Sequence, residues 1–397
     1  MRNIQAKLIA VMSNTALSGV MMFALTACCW SSADAVESDG DFMRPWESRP
    51  YQVQVWVCND NSPEIAAVLP QIYKEVARRA ELADPSAWNV MVDAAPNQWR
   101  VRLLESISDE IPSSELPLSE DVAKFDKLIA ACVERSDGAI RYRVRELDIQ
   151  TGQWGLLVDR TCGQSSDLPS ELYPAVERVF MPLTRIDRVN DAVRARAVNA
   201  CLMCDLDDGT VEPIENSPVW VKTVDRLLPI IRRVDKNGDL MDLESIPFTY
   251  LTVDKQEGSR LVCQIHSRQR ASLGGRSSKR AKKLALVIRP PEDPTTLTLV
   301  SRGDDPQPLA GYEIFSRRPG ADKDSESEFI GLTDWRGIVE IPPDDEGLRL
   351  IFVKHGARAL MKLPIIPGLY QNVMTEVPDD EARLNAEGVI QLSLIHI

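Results

Sequence analysis

Apolar and polar residues alternate along much of this chain with a period of two, most sharply in FIGLTDWRGIVEIP at residues 329–342. Such alternation marks half-buried β-strands. Between the two arms, Asp334-Trp335-Arg336-Gly337 predicts a tight turn. Gly337 supplies the positive φ, and Asp334 can accept from the backbone two residues on, so the run reads as a hairpin. The same alternation recurs at Leu297 and Leu299, at Tyr312, Ile314 and Ser316, and over residues 348–353 and 357–363, with a polar loop at 317–328. Short strands this closely spaced predict a two-sheet sandwich over residues 294–376.

Nearer the N-terminus the period changes. Residues 51–58 alternate as a strand, and Ser62-Pro63-Glu64 then predicts a helix start from an N-cap, a first-turn proline and an acid. Ile65, Val68, Leu69, Ile72 and Val76 recur at helical spacing, with Pro70 as a kink or a second start. A strand at 88–92, a helix at 98–107, strands at 127–134, 139–149 and 155–161, and a helix at 168–182 complete an α+β domain over residues 49–189. Strands at 192–200, 227–234, 248–254, 261–267 and 284–289 predict a small β domain, barrel or sandwich, over residues 190–291. The fold class is a multidomain protein, an α+β N-terminal domain followed by mainly-β domains.

The order of features in the last domain resembles a family. PLAGYEIF, a variable loop, GLTDWRGIVEIP and a closing pair of strands are similar to the transthyretin-like, carboxypeptidase-regulatory or CnaB-type β-sandwich, over about residues 294–368. The resemblance implies a transthyretin-like β-sandwich with an accessory, stalk-like or protein-binding role and no active site. In element order alone, residues 49–189 resemble the N-terminal α/β modules of envelope proteins such as TolB. The whole layout resembles exported bacterial proteins without an assigned activity.

Charge and termini narrow the setting. A net charge of −13 disfavours a nucleic-acid binder, which needs a basic face against phosphates. Arg2 and Lys7 precede a mostly apolar run at residues 8–25, the pattern of a signal peptide. Two processing sites compete. Ala33-Asp34-Ala35 suits ordinary signal peptidase and makes residues 1–35 the signal and 36–48 a linker; Leu25-Thr26-Ala27-Cys28 suits lipidation at Cys28. The first leaves Cys58, Cys132, Cys162, Cys201, Cys204 and Cys263, an even set for an oxidising compartment. No later stretch reaches membrane-spanning length, so no transmembrane helix is expected after signal removal. The expected location is periplasmic or extracellular, with lipid anchoring at Cys28 as the alternative. At the other end, residues 377–391 open like a helix that continued further, and LSLIHI at 392–397 reads as a sequencing-adapter artefact.

Candidate chemistry is sparse. Residues 260–289 carry no acid and are most basic at Arg276, Lys279, Arg280, Lys282 and Lys283, the expected contact for an anionic envelope component or another protein. A solvated loop is the plainer reading of the same charges. Cys201 and Cys204 form a CxxC without the second ligand pair of a zinc site or the following helix of a redox motif, so a disulfide or thiol pair is expected. Asp235, Asn237 and Asp239 open like a calcium loop, but Leu240 and Ile246 replace its glycine and closing acid. No metal or cofactor is expected. Glu146 and Asp148 alternate with Arg143 and Arg145 as a solvated charged strand would. GxSxG, HExxH, P-loop and GxGxxG motifs are missing from the sequence, and His266 and His355 fit structural hydrogen bonds. The sequence therefore points to an exported, non-enzymatic binding or scaffolding protein. The rival is a hydrolase or transferase with its site in residues 49–189 or beyond the C-terminus.

Overall fold

The computed structural model describes residues 49–380 apart from 85, 109–121, 123, 192, 200–216, 237–239, 271, 275–279, 290–292, 321–326, 346, 357 and 379. The signal segment with Cys28, the linker, Cys201, Cys204, Arg276, Lys279, most of the calcium-like loop and residues 381–397 lie outside the described residues.

The first sheet has the order β2-β1-β3-β4-β5, from β1 (Tyr51–Asn59), β2 (Trp88–Ala94), β3 (Lys127–Ser136), β4 (Ala139–Asp148) and β5 (Gln153–Cys162). β1 runs parallel to β2 and β3, and β3, β4 and β5 form an antiparallel meander. Parallel neighbours need crossovers, and helices α1 (Pro63–Ala83) and α2 (Asn97–Ser106) lie in those two connections. α1 buries Ile65, Ile72, Val76 and Ala80 and runs through Pro70 as one helix. It packs beside α3 (Leu168–Val179) on one face of the sheet, with Val53, Val55, Val57, Ile129 and Ala131 beneath. On the other face, Trp56, Cys58, Ala130 and Cys132 meet Trp99 and Leu103 of α2. Covered on both sides, β1 and β3 are buried almost throughout, as parallel strands usually are.

The second sheet comprises β6 (Leu183–Val189), β7 (Arg194–Asn199), β8 (Arg226–Val234), β9 (Leu240–Ser245), β10 (Thr249–Glu257), β11 (Arg260–Ser267) and β12 (Ala281–Ile288). Its order is β10-β11-β7-β6-β12-β8-β9, and β10 pairs also with β8. Six strands therefore close into a barrel, and β9 continues outward from β8. The interior holds Ala195, Ala197, Leu227, Leu251, Leu261, Cys263, Ala285 and Val287. Outward-facing Leu228, Ile230, Leu284, Leu286 and Ile288 join the core over α1 and α3. β6 and β9 were not among the expected strands. β6 ends at Val189 and pairs with β7 and β12, so the boundary expected at 189/190 falls between two strands of one sheet.

Two further sheets enclose a separate core. One, β16-β13-β19, consists of β13 (Thr295–Ser301), β16 (Ile338–Ile341) and β19 (Asn372–Val377); the other, β15-β14-β17-β18, of β14 (Glu313–Arg317), β15 (Glu328–Leu332), β17 (Arg349–His355) and β18 (Arg358–Ile365). Leu297, Leu299, Ile314, Ile341, Ile351, Val353 and Leu363 fill the space between. The turn at 334–337 has the expected local geometry. Gly337 has φ +75°, and the Asp334 carboxylate accepts from the N–H groups of Arg336 at 2.9 Å and Ile338 at 2.8 Å. The hairpin expectation is corrected, however. β15 pairs with β14 and β16 pairs with β13, so the turn carries the chain from one sheet to the other. Alternation marks each arm as a strand without naming its partner. Glycine at 337 is required twice over, because a Cβ there would lie 2.4 Å from the Leu299 carbonyl oxygen.

Candidate functional site

The basic segment expected to face a partner is only partly a loop. Its described residues run from Arg280 into β12, where Lys282 lies opposite Arg232 and Lys283 opposite Ile231 of β8. Lys283 has the same strand parity as Ala285 and Val287, which point into the barrel, and its ammonium donates to the Leu273 carbonyl at 2.7 Å. Arg280 and Lys282 have interactions of their own as well. The charges read as solvated from sequence are thus partly absorbed by the barrel.

A denser charge cluster is buried in the first sheet. Lys127 is fully buried and contacts Glu146 Oε1 at 2.9 Å and Asp148 Oδ2 at 2.6 Å. It also donates to the Met181 carbonyl and lies 5.7 Å and 5.6 Å from the ring centroids of Tyr51 and Phe180. Glu146 accepts the Met181 N–H at 2.8 Å, and Asp148 accepts the Thr151 N–H at 2.7 Å and hydroxyl at 2.6 Å. Burial works against the Lys127 charge, yet Asp148 and Glu146 outweigh it and raise the ammonium pKa. Burial pushes Glu146 up to about 7, against the pull of Lys127. This corrects the solvated-strand expectation: Arg143, Arg145, Glu146 and Asp148 are all buried. Arg145 is held by the carbonyls of Gly155 at 2.8 Å and Ile107 at 3.2 Å. Alternation of charges is the same whether a strand faces water or a polar core; here β3, β5 and the chain around Met181 cover it. With every member closed off from solvent, the cluster joins the first sheet to the barrel and offers a substrate no approach.

The exposed counterpart is the outer face of β15-β14-β17-β18. Tyr312, Ile314 and Ser316 point inward as their shared spacing implied. That leaves Phe315 and Arg317 outward, with Phe315 opposite both Phe352 of β17 and Phe329 of β15. Phe315 and Phe329 meet edge to face at 5.4 Å, and Phe329 is 54% exposed. Three cations lie on these rings: Lys354 at 4.1 Å from the Phe315 centroid, and Arg317 at 5.4 Å and Lys362 at 6.0 Å from that of Phe352. Arg317 donates to Ser327 Oγ at 3.3 Å, and among the described residues none of the three cations pairs with a carboxylate. Burial and then the nearby Arg317 charge lower the Lys362 ammonium pKa. The intervening positions Glu313, Phe315 and Arg317 were the signal in the sequence; the cross-strand neighbours were not.

The remaining candidates are structural. His266 shares a hydrogen bond with Thr252 Oγ1 at 2.9 Å, and burial lowers its pKa to about 4, with help from Lys362 and Arg226. His355 stacks on Tyr312 with ring centroids 4.7 Å apart, and both bond to the Asp380 carboxylate. This pins the chain beyond β19 against β14 and β17. Among the described residues no group of three or more His, Cys, Asp or Glu side chains could hold a metal ion.

No family model matches the chain, and no curated protein sequence does. Among solved structures it is similar to lipoprotein GNA1162 from Neisseria meningitidis, at 14% identity and TM-score 0.18 over 32% of this chain and 94% of that one. It is similar to the C-terminal domain of LpoB from Salmonella enterica, at 12% identity and TM-score 0.18 over 32% and 99%. It is similar also to TolB from Acinetobacter baumannii, at 10% identity and TM-score 0.20 over 83% and 96%. Likenesses this low carry no argument about activity.

Proposed function

We propose that this is an exported, non-enzymatic binding or scaffolding protein of a bacterial envelope, whose last module is a transthyretin-like β-sandwich that grips an anionic wall polymer. The N-terminal signal pattern supports export. The observation that carries the binding role is the outer face of β15-β14-β17-β18, where Arg317, Lys354 and Lys362 lie on Phe rings and, among the described residues, form no ion pair with a carboxylate, in a chain of net charge −13. Such charges repel one another, and a polyanion relieves that repulsion. The cations sit on three neighbouring strands, β14, β17 and β18, spaced about 4.8 Å apart, so the positive charge is spread across the sheet. That shape suits repeated phosphates or carboxylates along a polymer better than a single small anion. Phe329 adds an exposed apolar platform beside it.

The test is binding of a polyphosphate chain of defined length, and separately of anionic phospholipid vesicles, to the purified protein. Polyphosphate binding at low salt should weaken steeply towards physiological salt, where the screening length is about 8 Å. It should be lost in the Arg317→Gln, Lys354→Gln, Lys362→Gln triple variant and survive in the Lys279→Gln, Arg280→Gln, Lys282→Gln, Lys283→Gln variant. The opposite ranking would return the site to the basic segment at the start of β12. Binding to vesicles alone would replace the polymer with a lipid surface.

A further inference from the structure

Cys58 and Cys132 are far apart in sequence but direct register partners on the parallel strands β1 and β3. Register partners on adjacent strands point to the same side, and their Cα atoms lie about 4.8 Å apart. That separation falls inside the roughly 4.4–6.8 Å range that a disulfide spans. Both side chains are fully buried between the sheet and α2, beside Trp56, Trp99 and Leu103, and no other described cysteine lies in that core. The other two described cysteines are elsewhere: Cys162 ends β5, and Cys263 faces the barrel interior.

We infer that Cys58 and Cys132 form an intramolecular disulfide that staples the two central strands of the first sheet once the protein leaves a reducing compartment. The inference rests on the export reading only for where the bond forms. The two thiols already contact each other, and the contact, reinforced by burial, raises the Cys132 thiol above its ordinary range. Thiolate formation in the finished fold is therefore disfavoured, which places oxidation during folding, before α2 closes over the pair. In that step two S–H bonds break and one S–S bond forms. The two electrons and two protons pass to an oxidant of the disulfide class, a protein or small-molecule disulfide that becomes two thiols. Once made, the bond closes a long loop containing α1, β2 and α2, the kind of closure that most restricts the unfolded chain.

The experiment uses full-length protein refolded in a buffer of oxidised and reduced glutathione, and the same protein recovered from envelope fractions. Both are unfolded with an alkylating agent, digested without reductant and mapped by mass. The expected result is a Cys58 peptide joined to a Cys132 peptide, lighter than the alkylation-free thiol pair by two hydrogen atoms, with Cys162 and Cys263 alkylated. Reductant should lower the melting temperature by about 5 °C or more. The Cys58→Ala, Cys132→Ala double variant should show no such sensitivity. Cys58 and Cys132 both alkylated in the refolded sample, or either joined to another cysteine, would overturn the pairing. A bond in the refolded sample but free thiols in the cellular one would uphold the pairing and overturn export.

Discussion

Two groups of lysines and aromatic rings in this molecule follow opposite rules. In the first sheet, Lys127 lies over Tyr51 and Phe180 in a fully buried core, with Glu146 and Asp148 in contact. On the outer face of the last sheet, Lys354 and Lys362 lie over Phe315 and Phe352 at the surface, and among the described residues neither forms an ion pair, even though Glu313 is the register partner of Lys354. A cation taken wholly out of water must be compensated inside the fold, because desolvation costs several kcal/mol per ion even after relaxation. A cation at the surface is compensated by solvent and can be lent to a partner. The comparison teaches that a satisfied charge cluster marks architecture, whereas an unsatisfied one at the surface marks a place for something else.

The sharpest way to break the comparison is to remove the buried cation. Lys127→Met leaves Glu146 and Asp148 buried without it and should destabilise the protein by about 3–5 kcal/mol in urea unfolding. A loss below about 1 kcal/mol would mean that the cluster is hydrated and the contrast false. The next effect in size belongs to the turn between the two sheets of the last module. Gly337→Val should cost about 2 kcal/mol or more, from positive φ and the clash with the Leu299 carbonyl. Gly331→Ala, whose added Cβ meets only Val339 at 3.7 Å, should be close to silent. Equal melting shifts for the two would remove the strain argument.

A third effect is pH-dependent. Burial lifts Glu146 from an ordinary 4.5 to about 7. Between those values the folded protein holds a proton that the unfolded chain releases. Its contribution to stability is therefore full below about 4.5, declines as pH rises through the window and is gone above about 7. The slope attributable to Glu146 should approach 1.4 kcal/mol per pH unit and vanish in Glu146→Gln. Parallel pH profiles for the two proteins would show that the carboxylate is already ionised throughout. The smallest stability effect is expected on the exposed face. Lys354→Gln and Lys362→Gln should change unfolding free energy by no more than about 0.5 kcal/mol while weakening polyphosphate binding. A loss of stability comparable to that of Lys127→Met would make those lysines structural too.

Much of the secondary structure was legible because it is local. The α1 stripe of Ile65, Ile72 and Val76 follows from helical spacing, and the Asp334–Gly337 turn follows from one carboxylate and one glycine within a few residues. The strands at 127–134 and 261–267 were likewise readable from composition and alternation. β6, LTRIDRV, was hidden because only Phe180, Met181 and Pro182 separate it from α3, and the apolar run there reads as a continuation of the helix to Pro182. β9, LMDLES, is exposed along most of its length and shows no buried stripe.

Pairing is where local information ended. The amino-acid order by itself determined that residues 328–332 and 338–341 would be extended and that the turn between them would need glycine. Only the tertiary structure decided that those arms belong to different sheets, since each hydrogen-bonds a strand elsewhere in the chain. The same holds for charge. Arg143, Arg145, Glu146 and Asp148 have the alternation of a solvated strand and the burial of a core strand, because solvent access depends on what packs across them. It holds too for Cys58 and Cys132, and for Phe315 and Phe352, which are neighbours through register alone. Side-chain periodicity is a property of the backbone and can be read one residue at a time, whereas register and burial are properties of the whole folded chain.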